Sequence, residues 1–374
     1  MQSASKITIP AKKNFMLCQI IRLPLRGCFS ITSKLHIKLK KDIYILAIES
    51  SCDDTGAAVL CNRQVLSNVV ANQEIHREYG GVVPELASRD HQKNIVPVVH
   101  LALKKAGVAL SELNAIAVTV GPGLPGSLLV GVSFSKSLAQ ALGIPLIEVD
   151  HLQAHGLVPF IEQGNSGKVI APPEFPHITL IISGGHTRLS FVTNPLSGLV
   201  IGQTLDDAVG EAFDKGARIL GLTYPGGPLI DKLGRNGDPG KFNFKKANVP
   251  GFDFSFSGIK TSLLYFIQKE TEKNPNFINE NLPDICASYQ ECLVDMIVEK
   301  VHKAIGHHGV KELVLGGGVA ANARMRQKLL TMAAQDQVHL HLPELEYCTD
   351  NAAMIGITGY FHYQIQRTEF EGTN

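Results

Sequence analysis

Apolar residues come along this chain in short, near-continuous blocks separated by polar turns that contain glycine. Residues 43–49 (Ile-Tyr-Ile-Leu-Ala-Ile-Glu) form such a block, the pattern of a strand buried on both faces. The block stops at Ser50-Ser51-Cys52-Asp53-Asp54-Thr55-Gly56 and resumes over 57–61, which predicts a hairpin. Residues 178–182 and 188–192 repeat the arrangement around Ser183-Gly184-Gly185-His186-Thr187. Two such hairpins, one in each half of the chain, suggest a duplicated fold. Further blocks at 115–120, 145–149, 311–315 and 338–342 predict strands. Between them, helical spacing predicts helices over 89–106, 127–142 and 284–306, with others inside 202–220, from Leu229, after Asn322 and at the C-terminal end. Strands alternating with helices predict an α/β protein.

Chemistry concentrates at the ends of these strands. Asp150-His151-Leu152-Gln153-Ala154-His155 follows the 145–149 strand and opens a helix, so His151 and His155 lie one turn apart on one face. Neutral imidazoles in that arrangement make half of a metal site, and a bare His-x-x-x-His is equally compatible with a core pair. In Cys348-Thr349-Asp350-Asn351, Asp350 is either the N-cap of the last helix or the carboxylate completing a His-His-Asp set. The Asp53 and Asp54 turn is either a plain turn or a phosphate-facing turn with a carboxylate near a metal. Gly121-Pro122-Gly123-Leu124-Pro125-Gly126 formally matches a dinucleotide fingerprint, although two variable positions are proline and the loop is not on the first strand. Gly316-Gly317-Gly318 suits a flat ring or sugar lying against backbone, and Asn322 suits a helix cap or a ligand contact. Asp206, Asp207 and Glu211 read as capping and solvated acids. Phe252-Asp253-Phe254-Ser255-Phe256 reads as a strand edge or a surface that meets nucleic-acid bases.

Composition changes the picture at the front of the chain. The sequence has 374 residues and a net charge of +1, but residues 1–41 hold nine Lys or Arg and no Asp or Glu, leaving 26 bases against 34 acids in the rest. A basic, acid-free segment containing serine and an interrupted apolar run reads as a mitochondrial presequence, placing the protein in the matrix. No stretch is apolar and long enough to span a bilayer, so no membrane partner is expected. Seven cysteines without a Cys-x-x-Cys pair argue for a reducing compartment and against a zinc-cysteine site.

Together these features describe a two-lobed nucleotide-binding fold of the actin, sugar kinase and Hsp70 type (ASKHA), with phosphates between the hairpins and adenosine on the glycine turn. The expected division is 1–41 presequence, 42–150 lobe I and 151–349 lobe II, with a C-terminal helix over 350–366 packing back on lobe I. Ten ordered motifs then carry a resemblance over 43 to 360. Among them are Cys52-Asp53-Asp54-Thr55-Gly56, Val83-Pro84-Glu85-Leu86-Ala87-Ser88-Arg89, His151-Leu152-Gln153-Ala154-His155, Ser183-Gly184-Gly185-His186-Thr187, Tyr224-Pro225-Gly226-Gly227-Pro228 and Gly317-Gly318-Val319-Ala320-Ala321-Asn322. The chain resembles the tRNA N6-adenosine threonylcarbamoyltransferases (TsaD-like), in their mitochondrial branch.

That resemblance implies transfer of threonylcarbamoyl from threonylcarbamoyl-AMP, made by a separate synthase, to N6 of the adenosine 3′ of the anticodon in tRNAs reading ANN codons. It implies one divalent metal (Fe, Zn or similar) on His151, His155 and Asp350. The adenylate would be held by Ile181, Ile182, Ser183, Gly184, Gly185, Asp214, Gly227, Asp231 and Asn322. Asp53 or Asp54 would accept or orient a proton, and the chain would form a homodimer. Two departures matter. The family often has His-Leu-Glu-Gly-His and Cys-Asp-Glu-Thr-Gly, where this chain has Gln153-Ala154 and Asp54. The acidic mature chain needs a local basic patch for tRNA, for which Arg89, Lys93 and Lys260 are candidates. The rival classes are a metalloprotease, for which no Glu follows His151, an ATP-dependent small-molecule kinase, and a non-catalytic nucleotide-binding scaffold.

Overall fold

A computed structural model describes residues 42–73, 76, 79–162 and 171–372. The presequence expected over 1–41 lies outside the described residues.

Two five-stranded sheets share one topology. In the first, β1 (Tyr44–Glu49) pairs antiparallel with β2 (Thr55–Cys61), which pairs antiparallel with β3 (Gln64–Ala71). On its other edge β1 runs parallel to β4 (Ala115–Gly121), and β4 runs parallel to β5 (Leu146–Asp150). The order is β3-β2-β1-β4-β5. The second sheet, β10-β9-β6-β7-β8, repeats it. There β6 (His177–Ile182), β7 (Thr187–Asn194) and β8 (Ser197–Gln203) form the meander, and β9 (Glu312–Gly316) and β10 (His339–His341) the parallel wing.

The first sheet is covered on both faces, which explains its unbroken apolar strands. Leu46, Ile48, Val59 and Val118 point to α1 (Pro84–Ala106) and α2 (Pro125–Leu142). Ile45, Ala47, Ala58 and Ala117 point to the opposite face, where α9 (Ala352–Gly372) lies. Gly356 and Gly359 let α9 sit close. A Cβ on Gly356 would come 2.2 Å from Leu60 Cδ1, and one on Gly359 2.5 Å from the Ala117 Cβ. The second core is built from β6, β7 and β9 with α4 (Val209–Ile219), α5 (Gly226–Gly234), α6 (Ser257–Lys273), α7 (Phe277–His308) and α8 (Ala323–Asp336).

Element α3 (His151–Leu157) joins the two halves and packs on β5, β6, β9 and α9. Its fit is close: a Cβ on Gly156 would lie 3.1 Å from Thr179 Cγ2, and one on Gly316 2.6 Å from the His155 carbonyl.

Several expectations change. The first long helix begins at Pro84 rather than at 89, because proline is well suited to the first helical position. Helix α7 begins at Phe277 rather than 284, with Pro283 still within its first two turns. Asp206 and Asp207 precede α4; Asp206 instead accepts from Phe256 N, Ser255 Oγ and Ser257 Oγ, fixing the start of α6. Phe254 and Phe256 are buried in the core, so that aromatic run is not a base-stacking surface. Two of the glycines at 121–126 are required by close packing. A Cβ on Gly123 would lie 2.4 Å from the Ser51 carbonyl, and one on Gly126 2.4 Å from Ser88 Oγ. Among the described residues no helix is long and apolar enough to cross a membrane.

Candidate active site

A cleft of about 660 Å³ opens where the ends of the two sheets meet α3. The β1–β2 turn contributes Ser51, Cys52, Asp53 and Asp54, and the β6–β7 turn Ser183, Gly184, Gly185 and His186. His151, Asp350, Asp214, Gly227, Asp231, Gly318 and Asn322 complete the parts that bear on its chemistry.

At its floor lie two histidines and an aspartate. Asp150 caps α3 by accepting from Gln153 N at 2.7 Å, which sets the helix direction and points His151 and His155 inward. Asp350 Oδ1 stands 3.5 Å from His151 Nε2 and 3.3 Å from His155 Nε2. Asp350 is not the helix cap. Asn351 takes that role, its Oδ1 accepting from Met354 N at 3.1 Å, and Asp350 is free to face the histidines.

Three observations test whether a cation fits. His155 is fully buried and neither ring nitrogen has an aligned hydrogen bond, a loss that ordinarily costs about 1–3 kcal/mol. Two ligands about 2.0–2.2 Å from a tetrahedral ion are roughly 3.3–3.6 Å apart, matching both separations. Third, the electrostatics ask for positive charge. Burial alone would lower His151, yet the Asp350 and Glu49 carboxylates hold it well above the usual histidine range. Burial would raise both carboxylates, and the His151 charge holds each below its usual range. The donor set fits a borderline divalent metal.

Sequence reasoning missed the group that orients this set. Glu49, the last residue of β1, is 1% exposed. Its Oε2 accepts from Thr119 Oγ1 at 2.5 Å and from His151 Nδ1 at 3.1 Å, and its Oε1 accepts from Ser51 N at 2.5 Å. A carboxylate on Nδ1–H leaves the Nε2 lone pair facing Asp350, the tautomer a metal ligand needs. The available signal was an acid closing an otherwise apolar strand. His91 was also missed. Its Nε2–H donates to the Cys52 carbonyl at 3.0 Å while Nδ1 accepts from Thr55 Oγ1 at 2.8 Å, so it braces the acid-bearing turn. Burial lowers its pKa, consistent with that neutral form.

Asp54 lines the cleft beside Asp53, and burial together with the Asp53 and Asp350 charges pushes it up to about 7. Asn72 Nδ2 donates to its Oδ1 at 2.9 Å. Burial pushes the Cys52 thiol far above its usual range, which disfavours a thiolate there. Across the cleft, a Cβ on Gly184, Gly185 or Gly318 would meet open space. Ile181 and Ile182 are buried in β6 and deliver Ser183 to the cleft; neither side chain lines it. Asp214 Oδ1 accepts from Gly226 N (2.8 Å) and Gly227 N (3.2 Å), shaping the start of α5. Asp231 accepts from Ala323 N at 3.2 Å and Arg235 at 2.8 Å. Asn322 caps α8 through Met325 N at 2.9 Å and donates to Gln290 Oε1 at 2.7 Å, so it presents a fixed wall.

A family model described as "TsaD: tRNA N6-adenosine threonylcarbamoyltransferase" matches residues 64–357. The curated tRNA N6-adenosine threonylcarbamoyltransferase of Christiangramia forsetii is 56% identical over 321 residues, 86% of this chain and 93% of its own. That of Riemerella anatipestifer is 52% identical over 330 residues, 88% of this chain and 95% of its own. Among solved structures, full-length HypF in its phosphate- and nucleotide-bound form is similar with a TM-score of 0.55 at 12% identity, covering 87% of this chain and 47% of that one. That likeness concerns the fold alone, which is the two-lobed ASKHA type expected.

Proposed function

The chain belongs to the tRNA N6-adenosine threonylcarbamoyltransferase family and is a transferase, and on that premise we propose that it moves threonylcarbamoyl from threonylcarbamoyl-AMP to N6 of the adenosine 3′ of the anticodon in mitochondrial tRNAs reading ANN codons, releasing AMP. The observation that carries the site assignment is the fully buried, hydrogen-bond-free His155 within 3.3 Å of Asp350. One divalent metal on His151, His155 and Asp350 would supply Lewis-acid stabilisation of charge developing on the donor oxygens.

The chain's own residues do the rest. Glu49 fixes the His151 tautomer. The Ser183–His186 turn offers close backbone approach to the donor phosphate, and Gly318 leaves room for the adenosine against a wall held by Asn322. The adenosine N6 lone pair forms a bond to the carbamoyl carbon, and the bond from that carbon to the phosphate oxygen breaks with AMP leaving. The N6 proton passes to Asp54, whose pKa near 7 suits a base at neutral pH.

Lobe I is assigned to 42–150 and lobe II to 151–349. The basic, acid-free front end supports a presequence and a matrix location. A separate synthase supplies the donor. Self-association as a homodimer completes the proposal.

The test is to incubate the full chain, metal-loaded, with threonylcarbamoyl-AMP and an ANN-decoding mitochondrial tRNA, and to read the nucleosides by mass spectrometry. Modified adenosine and AMP in equal amounts are expected. His155→Ala should lower kcat/KM by about 10²–10³-fold. ATP-dependent phosphorylation of a small hydroxyl compound without tRNA would replace this reading with the kinase one.

A further inference from the structure

The second sheet carries another group of metal-ligating side chains, at its outer edge, that the cleft does not use. Strand β10 is His339-Leu340-His341, and it pairs in parallel with β9 alone. Residues two apart on a strand share a face, so both imidazoles project together. The register sets His339 opposite Glu312 of β9. Glu312 spreads its carboxylate between the two rings: Oε2 lies 2.5 Å from His341 Nε2, and Oε1 3.6 Å from His339 Nδ1. The rings themselves are 4.5 Å apart. One ligand atom from each of the three lies within 4.8 Å of the others.

Burial gives this group a floor and an opening. His341 is 4% exposed, whereas the His339 side chain is 60% exposed, so ions reach the group from one side. Two imidazoles and one carboxylate form a donor set for zinc and its neighbours rather than for magnesium or calcium, which prefer oxygen alone. We propose that Glu312, His339 and His341 form a second divalent-cation site for zinc or a similar borderline metal, separate from His151, His155 and Asp350. The cation takes the place of the hydrogen between Glu312 Oε2 and His341 Nε2, and the neutral imidazole carries its proton on Nδ1 so that Nε2 faces the metal.

The location gives the site a role. β10 is only three residues long, and the chain leaves it at His341 to reach Asp350. A cation bridging β9 and β10 would pin the root of the segment that presents Asp350 to the cleft. These three are positioning residues; none lines the cleft.

The experiment strips the full chain of metal, dialyses it against zinc, and counts zinc per chain by atomic emission in wild type, His155→Ala, His339→Ala, Glu312→Gln and the His155→Ala/His339→Ala double variant. At saturating zinc each site fills whether or not the other is intact, so His155→Ala and His339→Ala each lose one equivalent and the double variant loses two. Glu312→Gln keeps the shape of the edge and also loses one. Zinc should raise the Tm of His155→Ala and leave that of the double variant unmoved. Equal zinc content in wild type, His339→Ala and Glu312→Gln would overturn the proposal and leave an ordinary histidine–glutamate pair. Exposed His339 contributes little to the core, so equal zinc-free unfolding curves for wild type and His339→Ala show that a lost equivalent reflects a lost ligand.

Discussion

Strands β1 and β6 hold the same place in their sheets, are each six residues long, and each hands the chain to an antiparallel neighbour through a polar turn. β1 ends on Glu49 and β6 on Ile182. That one difference separates the chemistry of the two lobes. Glu49 reaches back to His151 and imposes a tautomer, and its turn goes on to bring Asp53 and Asp54 to the cleft. Ile182 disappears into the core, and its turn offers glycines with nothing over them. Duplication supplied two equivalent frames. Side-chain choice at the strand ends made one the charged half of the cleft and left the backbone of the other open.

The comparison breaks most visibly if β1 is given the ending of β6. Glu49→Ile removes the partner of His151 Nδ1, and metal affinity should fall at least about 10–100-fold with activity following. Glu49→Gln preserves the volume and should show the same direction, read by metal titration at matched folding. An unchanged metal affinity in both would mean that Glu49 does not orient the ligand.

Two adjacent glycines on the lobe II side sharpen it. Gly317 has φ +91° and a Cβ there would lie 2.4 Å from the Ile182 carbonyl, whereas Gly318 has open space. Gly317→Ala should cost about 1–3 kcal/mol in urea unfolding. Gly318→Ala should leave stability unchanged and raise KM for the donor. Equal loss of stability in both would remove the distinction between packing and ligand access.

The acidic turn predicts a pH response of two opposite signs. Folded Asp54 keeps a proton that the unfolded chain releases well below pH 7, because burial and then the Asp53 and Asp350 charges raise it to about 7. Its contribution to stability is therefore complete at low pH and lost as pH rises through about 7. Its contribution to proton acceptance runs the other way, so turnover should rise through the same range. Asp54→Asn should flatten both profiles, and a turnover profile that keeps its rise in this variant would assign the acceptor elsewhere.

The smallest effect lies outside the cleft, on α1. Lys93 is paired with Asp90 at 2.7 Å on an exposed face. Lys93→Ala should change stability by less than about 0.5 kcal/mol. If this face meets tRNA phosphates, the slope of log affinity against log salt drops by about 1. An unchanged slope removes Lys93 from the tRNA contact.

The duplicated strand pattern was legible because each apolar block has the length and continuity that two covered faces demand. The histidine pair was legible because four residues bring side chains together on any helix. Asp350 could be read two ways, since a helix start accepts either Asp350 or Asn351 as its cap, and only the turn of the chain before α9 decided between them. Glu49 lacked a readable signal beyond its ending an apolar strand, because its partners Thr119 and His151 come from distant parts of the chain. The Phe252–Phe256 run stayed open for a related reason: alternating aromatics fit a strand edge and a nucleic-acid surface equally well until Phe254 bonds to Gln203 and Leu205 at the end of β8 and neighbouring elements bury it.

The sequence by itself determined the periodic elements, the repeated hairpin and the residue types available for metal and proton chemistry, because these rest on local spacing. Tertiary structure decided which polar groups are spent on holding the fold and which face the cleft. Asp206 went to fixing the start of α6 and Asn322 caps α8 while still lining the cleft, whereas Asp54 and Asp350 line the cleft with His155 buried beside Asp350. That allocation depends on which side chains two folded sheets bring within about 3 Å of one another, the range in which a hydrogen bond or a metal contact forms, and no local pattern encodes it.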